Sequence, residues 1–248
     1  MSATAVTSAV NHRRIRRARA WLESRELAEE VVIVGASLDA ANELGRRVAK
    51  EKGAAFGWHR ITLSQLAAAI AAPALATLGF VTLSRLGTEA IVARVVHRLK
   101  AEGGLSRYHA VAATPGFPRA VAGVIAELRL ARLPSDAIDS VIPDLGLLIG
   151  AYEAELAEAS LTDWPGVLAL ATEAASGNGA NRHRLIGLPM LLLDLPVGSA
   201  AELAFVRALA ATAPDMLVTV PAADEPTIRR IKGCACRRGI LRRWCSTG

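Results

Sequence analysis

Cysteine is missing from the first 233 residues of this 248-residue chain; Cys234, Cys236 and Cys245 all fall near its end. A body without cysteine has no disulfide framework and gives no sign of an oxidising compartment, so the cytoplasm is the default expectation. Cys-x-Cys with one further Cys lacks a fourth zinc ligand, and no paired His spacing supplies one, so no metal is expected. Aromatic residues are only 4% of the chain, against 52% hydrophobic residues that are mostly Ala, Leu and Val. That balance disfavours a β-sandwich and favours helices packed on a small sheet.

Charge of one sign is also missing, except at one end. The formal net charge of +6 comes from residues 225–248, with seven basic residues against Glu225; the first 224 residues are balanced. The basic pI therefore says nothing about the body. No signal peptide is legible, because the basic cluster His12 to Arg19 is not followed by an apolar stretch. The longest uncharged run, Ile61 to Ser84, is interrupted by Thr62, Ser64, Gln65, Pro73 and Gly79. It reads as a buried helix, turn and strand rather than a membrane span.

What is present is a strand–helix alternation at both ends of a helical block. Residues 13–29 read as a solvated helix with Arg on most faces. Arg13, Arg14, Arg16, Arg17 and Arg19 are the first candidates on it for a DNA backbone. Val31 to Val34 is a short continuous apolar run ending at Gly35, the pattern of a strand buried on both faces. Ser37 is placed to cap the next helix. A second strand is expected to end near Ile61, with Thr62 and Gln65 as a capping box. Stripes at Ile91–Leu99, Phe117–Leu128 and Leu145–Ala159 then repeat at helical spacing, and the block from 86 to about 176 holds no convincing strand. Sheet character returns at Met190–Leu193, closed by Asp194, and at Met216–Val220. The expected architecture is an α/β core with a parallel sheet, residues 1–85 and 183–224, split by a helical insertion at 86–182. Residues 225–248 are expected to be a disordered basic tail.

Two nucleotide-binding chemistries begin with strand, Gly and helix. A dinucleotide site needs further glycines close behind the first, and after Gly35 the next is Gly45. A P-loop read from Gly35 puts Ala41 where lysine should reach the phosphates and Asn42 where a hydroxyl should hold magnesium. Asp194 sits where the magnesium-associated acid of a second strand would lie, but the next residue is Leu195. Gly35, Ser37 and Asp194 thus read either as a vestigial ATP/magnesium site or as a turn, a helix cap and a strand end. No nucleophile–base pair stands out. Trp58 and Trp164 read as packing anchors before base-stacking platforms.

Several segments in order, VVIVGASLDAANEL (31–44), GWHRITLSQLAAAI (57–70), TPGFPRAV (114–121), DLGLLIGAYEAEL (144–156) followed by Asp163, and LLLDLPVGSAAEL (191–203), resemble the N-terminal region of AddB-like proteins of the PD-(D/E)XK nuclease family. The resemblance covers about 30–224. It implies a superfamily 1 helicase-like, RecA-like first domain split by a helical subdomain, and a role in processing broken DNA ends. DNA and an AddA-like helicase–nuclease subunit are the partners it implies. The family's nuclease residues and iron–sulfur cysteines have no counterpart here, and the likeness stops near Asp224, where the change in composition reads as an out-of-frame or truncated product. The expected function is a catalytically silent, helicase-like DNA-repair module. The rivals are an ATPase with an unorthodox loop and a general helical interaction protein.

Overall fold

The computed structural model describes residues 2–177, 182–238 and 243–246, and the side chains of 3–177 and 182–232. The chain divides into two compact units, residues 1–70 with 171–198 and 202–248, and residues 71–170 with 199–201.

The first unit is built on a parallel six-stranded sheet. Its strands are β1 (Ser2–Ser8), β2 (Val31–Gly35), β3 (Trp58–Thr62), β6 (Met190–Leu193), β7 (Asp215–Pro221) and β8 (Arg243–Ser246), in the order β3-β2-β6-β7-β1-β8. Every pairing is parallel. The apolar runs that sequence reading picked out as doubly buried are so: every residue of Val31–Gly35 and of Met190–Leu193 is buried. These two strands are neighbours, with Gly35 opposite Leu193, although the helical block separates them in sequence.

Helices α1 (Asn11–Glu23) and α2 (Leu38–Lys52) cover one face of the sheet. Ala18 and Leu22 of α1, and Ala41, Leu44 and Val48 of α2, pack with Val6, Ile33, Leu191 and Leu217 of the strands. Alternate strand residues such as Val32, Val34, Leu192 and Val218 are buried as well, so the opposite face is also covered. Right-handed crossovers put α9 (Ala200–Thr212) and α10 (Glu225–Arg238) there, because their connections run along the sheet in the direction opposite to those of α1 and α2. Trp21 Nε1 and Arg25 Nη2 both donate to Asp215 Oδ2, at 2.8 and 2.6 Å, which ties the end of α1 to the start of β7.

Residues 225–238 and 243–246 depart from the expected disordered tail. Glu225–Arg238 is a helix with Ile231 buried, and the buried Thr227 hydroxyl accepts a 2.9 Å bond from Val197 N. Arg230 reaches the Val197 carbonyl at 3.1 Å, and β8 adds beside β1 as an edge strand. One-sided charge and the lack of a long apolar stripe hid a helix that docks, among its described side chains, through Thr227, Arg230 and Ile231. Cys234, Cys236 and Cys245 lie outside the residues whose side chains are described.

The second unit is helical: α4 (Arg85–Ala101), α5 (Phe117–Leu130), the short α6 (Ser135–Asp139) and α7 (Pro143–Glu158), flanked by the end of α3 (Leu63–Leu78) and the start of α8 (Trp164–Ser176). Its core joins Val92, Val95 and Val96 of α4 to Val121 and Ile125 of α5 and to Leu148, Ile149, Tyr152 and Leu156 of α7. The predicted stripes are the buried faces, with Ile91, Phe117 and Leu128 half-buried and Val124 and Ala159 exposed. Asp144, buried near the start of α7, accepts from Ser106 Oγ and from the amides of Arg107 and Tyr108, which fixes the loop after α4. Gly146 is required where it stands, since a Cβ would lie 2.5 Å from Asp139 Cα.

The block does contain strand, contrary to expectation. β5 (Leu161–Thr162) lies inside it and pairs in parallel with β4 (Val81–Thr82), the strand expected at the end of the uncharged run, held by Val81 N to Ser160 O and Leu83 N to Thr162 O. That pairing ties residues ahead of α4 to the helical unit, so the units divide at 71 and 170 rather than at 86 and 182. Among the described residues no helix is long and apolar enough to cross a membrane. The uncharged run instead holds the end of β3, the 16-residue α3 with Pro73 inside it, and β4.

Candidate functional site

The strand order puts reversals of connection at the carboxyl ends of the first unit's sheet, the place where open α/β sheets form a crevice. The chain leaves β1 in one direction and β7 in the other, so the helices that follow these adjacent strands lie on opposite faces. Open α/β sheets place ligands at such reversals. A second reversal falls between β2 and β6, and Gly35 and Asp194 lie at that same edge.

Asp194 is the centre of the arrangement, and its carboxylate is fully engaged. Arg14 Nε donates to Oδ1 at 2.9 Å and to Oδ2 at 3.1 Å, and Nη2 donates to Oδ2 at 3.0 Å. Thr219 Oγ1 donates to Oδ1 at 2.8 Å and accepts from Asp194 N at 3.0 Å. The other arm of Arg14, Nη1, reaches the Ser8 carbonyl at 2.5 Å, and Nη2 also reaches Asn11 Oδ1 at 3.3 Å. The guanidinium therefore bridges the ends of β1 and β6, while Thr219 of β7 locks the carboxylate from between them. The Arg14 side chain is 7% exposed and that of Asp194 20%. Asp194 also has φ +48°, a left-handed conformation that Asp tolerates better than most residues. The turn after β6 thereby turns the carboxylate towards α1.

Gly35 and Ser37 are placed at a tight turn. A Cβ on Gly35 would lie 2.5 Å from Ser37 O and 3.1 Å from Ala41 N, so the turn requires glycine. Ser37 Oγ accepts from Ala40 N at 3.2 Å as an N-cap, and Ala36 N donates to Leu193 O at 3.2 Å in the sheet ladder. Both amides are thus used by the protein. Ala41, at the position of the missing lysine, is fully buried in the core.

The arginine cluster divides. Arg14 faces inward and is not part of a solvated face. Arg13, Arg16 and Arg17 are exposed, and Arg19 is exposed but paired with Glu23 and Glu51. The structure unites Asp194 with Arg14 and separates Arg14 from its sequence neighbours. Sequence reading missed β1, Thr219 and the inward turn of Arg14. β1 reads Ser-Ala-Thr-Ala-Val-Thr-Ser, without an apolar run, and its burial comes from small side chains. The usable signal was helical spacing: Arg14, Ala18 and Leu22 lie four apart and form the inner face of α1.

Among the described residues, no group of three or more His, Cys, Asp or Glu is placed to hold a metal ion. The oxygens of Asp194 already carry Arg14 and Thr219. No protein-family model matches the chain, and no curated protein matches it in sequence.

Proposed function

We propose that this chain is a non-catalytic, helicase-like module of the kind found in the N-terminal region of AddB-type recombination nucleases, one that holds DNA and does not turn over nucleotide. The observation that carries the silent half of the reading is the Arg14–Asp194 pair. A magnesium-associated acid must present free carboxylate oxygens to an ion or to its waters. Here a buried guanidinium supplies the compensating charge from within the chain, at the crevice where a nucleotide's phosphates would otherwise enter. The absence of lysine at 41 and of a second acid at 195 agrees with this.

The helicase-like half is supported by the parallel sheet and by a helical unit inserted between β3 and β6. The DNA half is supported by Arg13, Arg16 and Arg17 standing exposed on α1, and by the positive charge of residues 225–248. An AddA-like subunit is the protein partner this reading implies.

Two titrations test the reading. A fluorescent ATP analogue with magnesium should show no saturable binding to the full chain. Labelled single-stranded DNA should bind with a steep salt dependence, as phosphate-dominated contacts require. Saturable analogue binding that Arg14→Ala strengthens would overturn the silent half. Failure to bind DNA even at low salt would overturn the other.

A further inference from the structure

The helical unit carries a cleft of about 370 Å³ that is separate from the Asp194 crevice. That is near the lower end of the roughly 300–1,000 Å³ usual for small-ligand sites. It has room for one small ring system and none for a helix.

Its interior is apolar and aromatic, with Ile125, Tyr152, Trp164 and Pro165 among its lining. The polar groups at its base are already paired. Tyr152 Oη donates to Asp163 Oδ2 at 3.2 Å, and Arg129 forks onto Asp163 at 2.9 and 3.2 Å. Asp163 Oδ1 also accepts from Gly166 N at 3.0 Å. Burial, followed by the charge of Asp163, pushes the Tyr152 phenol well above its ordinary range, so it stays a neutral ring. Tyr152 is fully buried beneath the cleft, so the base makes no unmet polar demand and the aromatic surface left to a ligand is that of half-buried Trp164.

The rim differs in kind. Arg85 and Arg119 both line the cleft and share one acid, Glu89, at 3.2 and 4.0 Å. Their side chains are 76% and 69% exposed, so two cations stand in water beside one carboxylate. A flat apolar body inside and an anion at the mouth are what this arrangement fits. Gly123 of α5 also lines the cleft, and a Cβ there would meet nothing within 4 Å. Glycine weakens a helix interior; at this position it leaves the cleft open.

We propose that the cleft receives one nucleotide of single-stranded DNA, its base against Trp164 and its phosphate between Arg85 and Arg119. This rests on the DNA-holding reading above, and it assigns Trp164 a stacking role in addition to packing. Base–aromatic stacking is tolerant of sequence, so no base preference is required.

The test uses the full chain with labelled oligothymidylate and an abasic oligonucleotide of equal length. Wild type should bind oligothymidylate roughly five- to a hundredfold more tightly than the abasic strand, the range that stacking of one base supports. Gly123→Leu, which fills the cleft from open space, should abolish that difference. Arg119→Gln should weaken both strands and reduce the salt slope by about 0.7, the value for one phosphate contact on a single strand. Equal wild-type affinity for the two strands would overturn the cleft assignment while leaving the DNA reading intact. So would a folded Gly123→Leu protein that behaves as wild type. No binding of either strand would overturn both. Binding of free thymidine 5′-phosphate without binding of the oligonucleotide would overturn the single-strand assignment. If Gly123→Leu does not fold, the wild-type comparison of the two strands together with Arg119→Gln decides.

Discussion

Removing either partner of the Arg14–Asp194 pair should cost more than any exposed ion pair in the molecule. Breaking a buried pair by deleting one side costs roughly 3–5 kcal/mol, because the other charge is left without compensation. The structure sets where each variant falls. In Arg14→Ala the Asp194 carboxylate keeps Thr219 and gains water through its 20% exposure, so about 3 kcal/mol is expected. The Ser8 carbonyl adds little, since Ala222 N still donates to it at 3.1 Å. In Asp194→Ala the guanidinium, only 7% exposed, is left with Ser8 O and Asn11 Oδ1, and alanine must adopt φ +48°. That variant should lose about 4–5 kcal/mol, the last 1 kcal/mol or so from backbone strain. The double variant should be less damaged than the sum of the singles by about 2 kcal/mol or more, the signature of direct coupling. Urea denaturation followed by circular dichroism measures all three. In thermal melts Arg14→Ala should fall by roughly 6–12 °C, at about 2–4 °C per kcal/mol for a chain of this size. Additive single effects, or an Arg14→Ala loss below about 1 kcal/mol, the ceiling for exposed pairs, would refute the reasoning.

Other outcomes follow from local geometry. Burial pushes the Glu155 carboxyl up, but the guanidiniums of Arg94 and Arg98, both bonded to it, bring it below its ordinary value. Its contribution should therefore be complete above the ordinary carboxylate range and lost as pH falls through the lowered value. Stability-against-pH curves of wild type and Glu155→Gln should converge in acid; parallel curves would count against the pairing. Ile231→Ala should cost roughly 2–4 kcal/mol, as for other buried aliphatic side chains, and a neutral result in denaturant would mean α10 is not docked. Gly123→Ala should raise stability by about 0.5–1 kcal/mol, since the new methyl meets open space in a helix interior; a lower melting point would contradict that.

The apolar runs were the most legible part of the fold. Val31–Val34 and Met190–Leu193 can be buried on both faces only in a parallel sheet clad with helices, and neither can form one alone, so their pairing was readable across the helical block. Thr62 and Gln65 were likewise readable as a cap, and each reaches the other's backbone amide, at 3.0 and 3.3 Å. β1 was not readable, because Ala3, Ala5 and Thr7 carry no strand signal until β7 and β8 flank them. α10 escaped for the reverse reason: its charge is conspicuous, and its buried Thr227 and Ile231 stand in no long apolar run. At the candidate site, Asp194 stood out as an acid ending an apolar strand. Its partner Arg14 lies 180 residues earlier among four other arginines, and nothing local distinguishes it except its spacing to Ala18 and Leu22.

If Arg14 closes the crevice at Asp194 to nucleotide chemistry, phosphate release from ATP, measured with magnesium and saturating single-stranded DNA, should run at the rate of buffer and DNA alone, for wild type and for Asp194→Asn alike. DNA-stimulated hydrolysis by wild type that Asp194→Asn abolishes would contradict it.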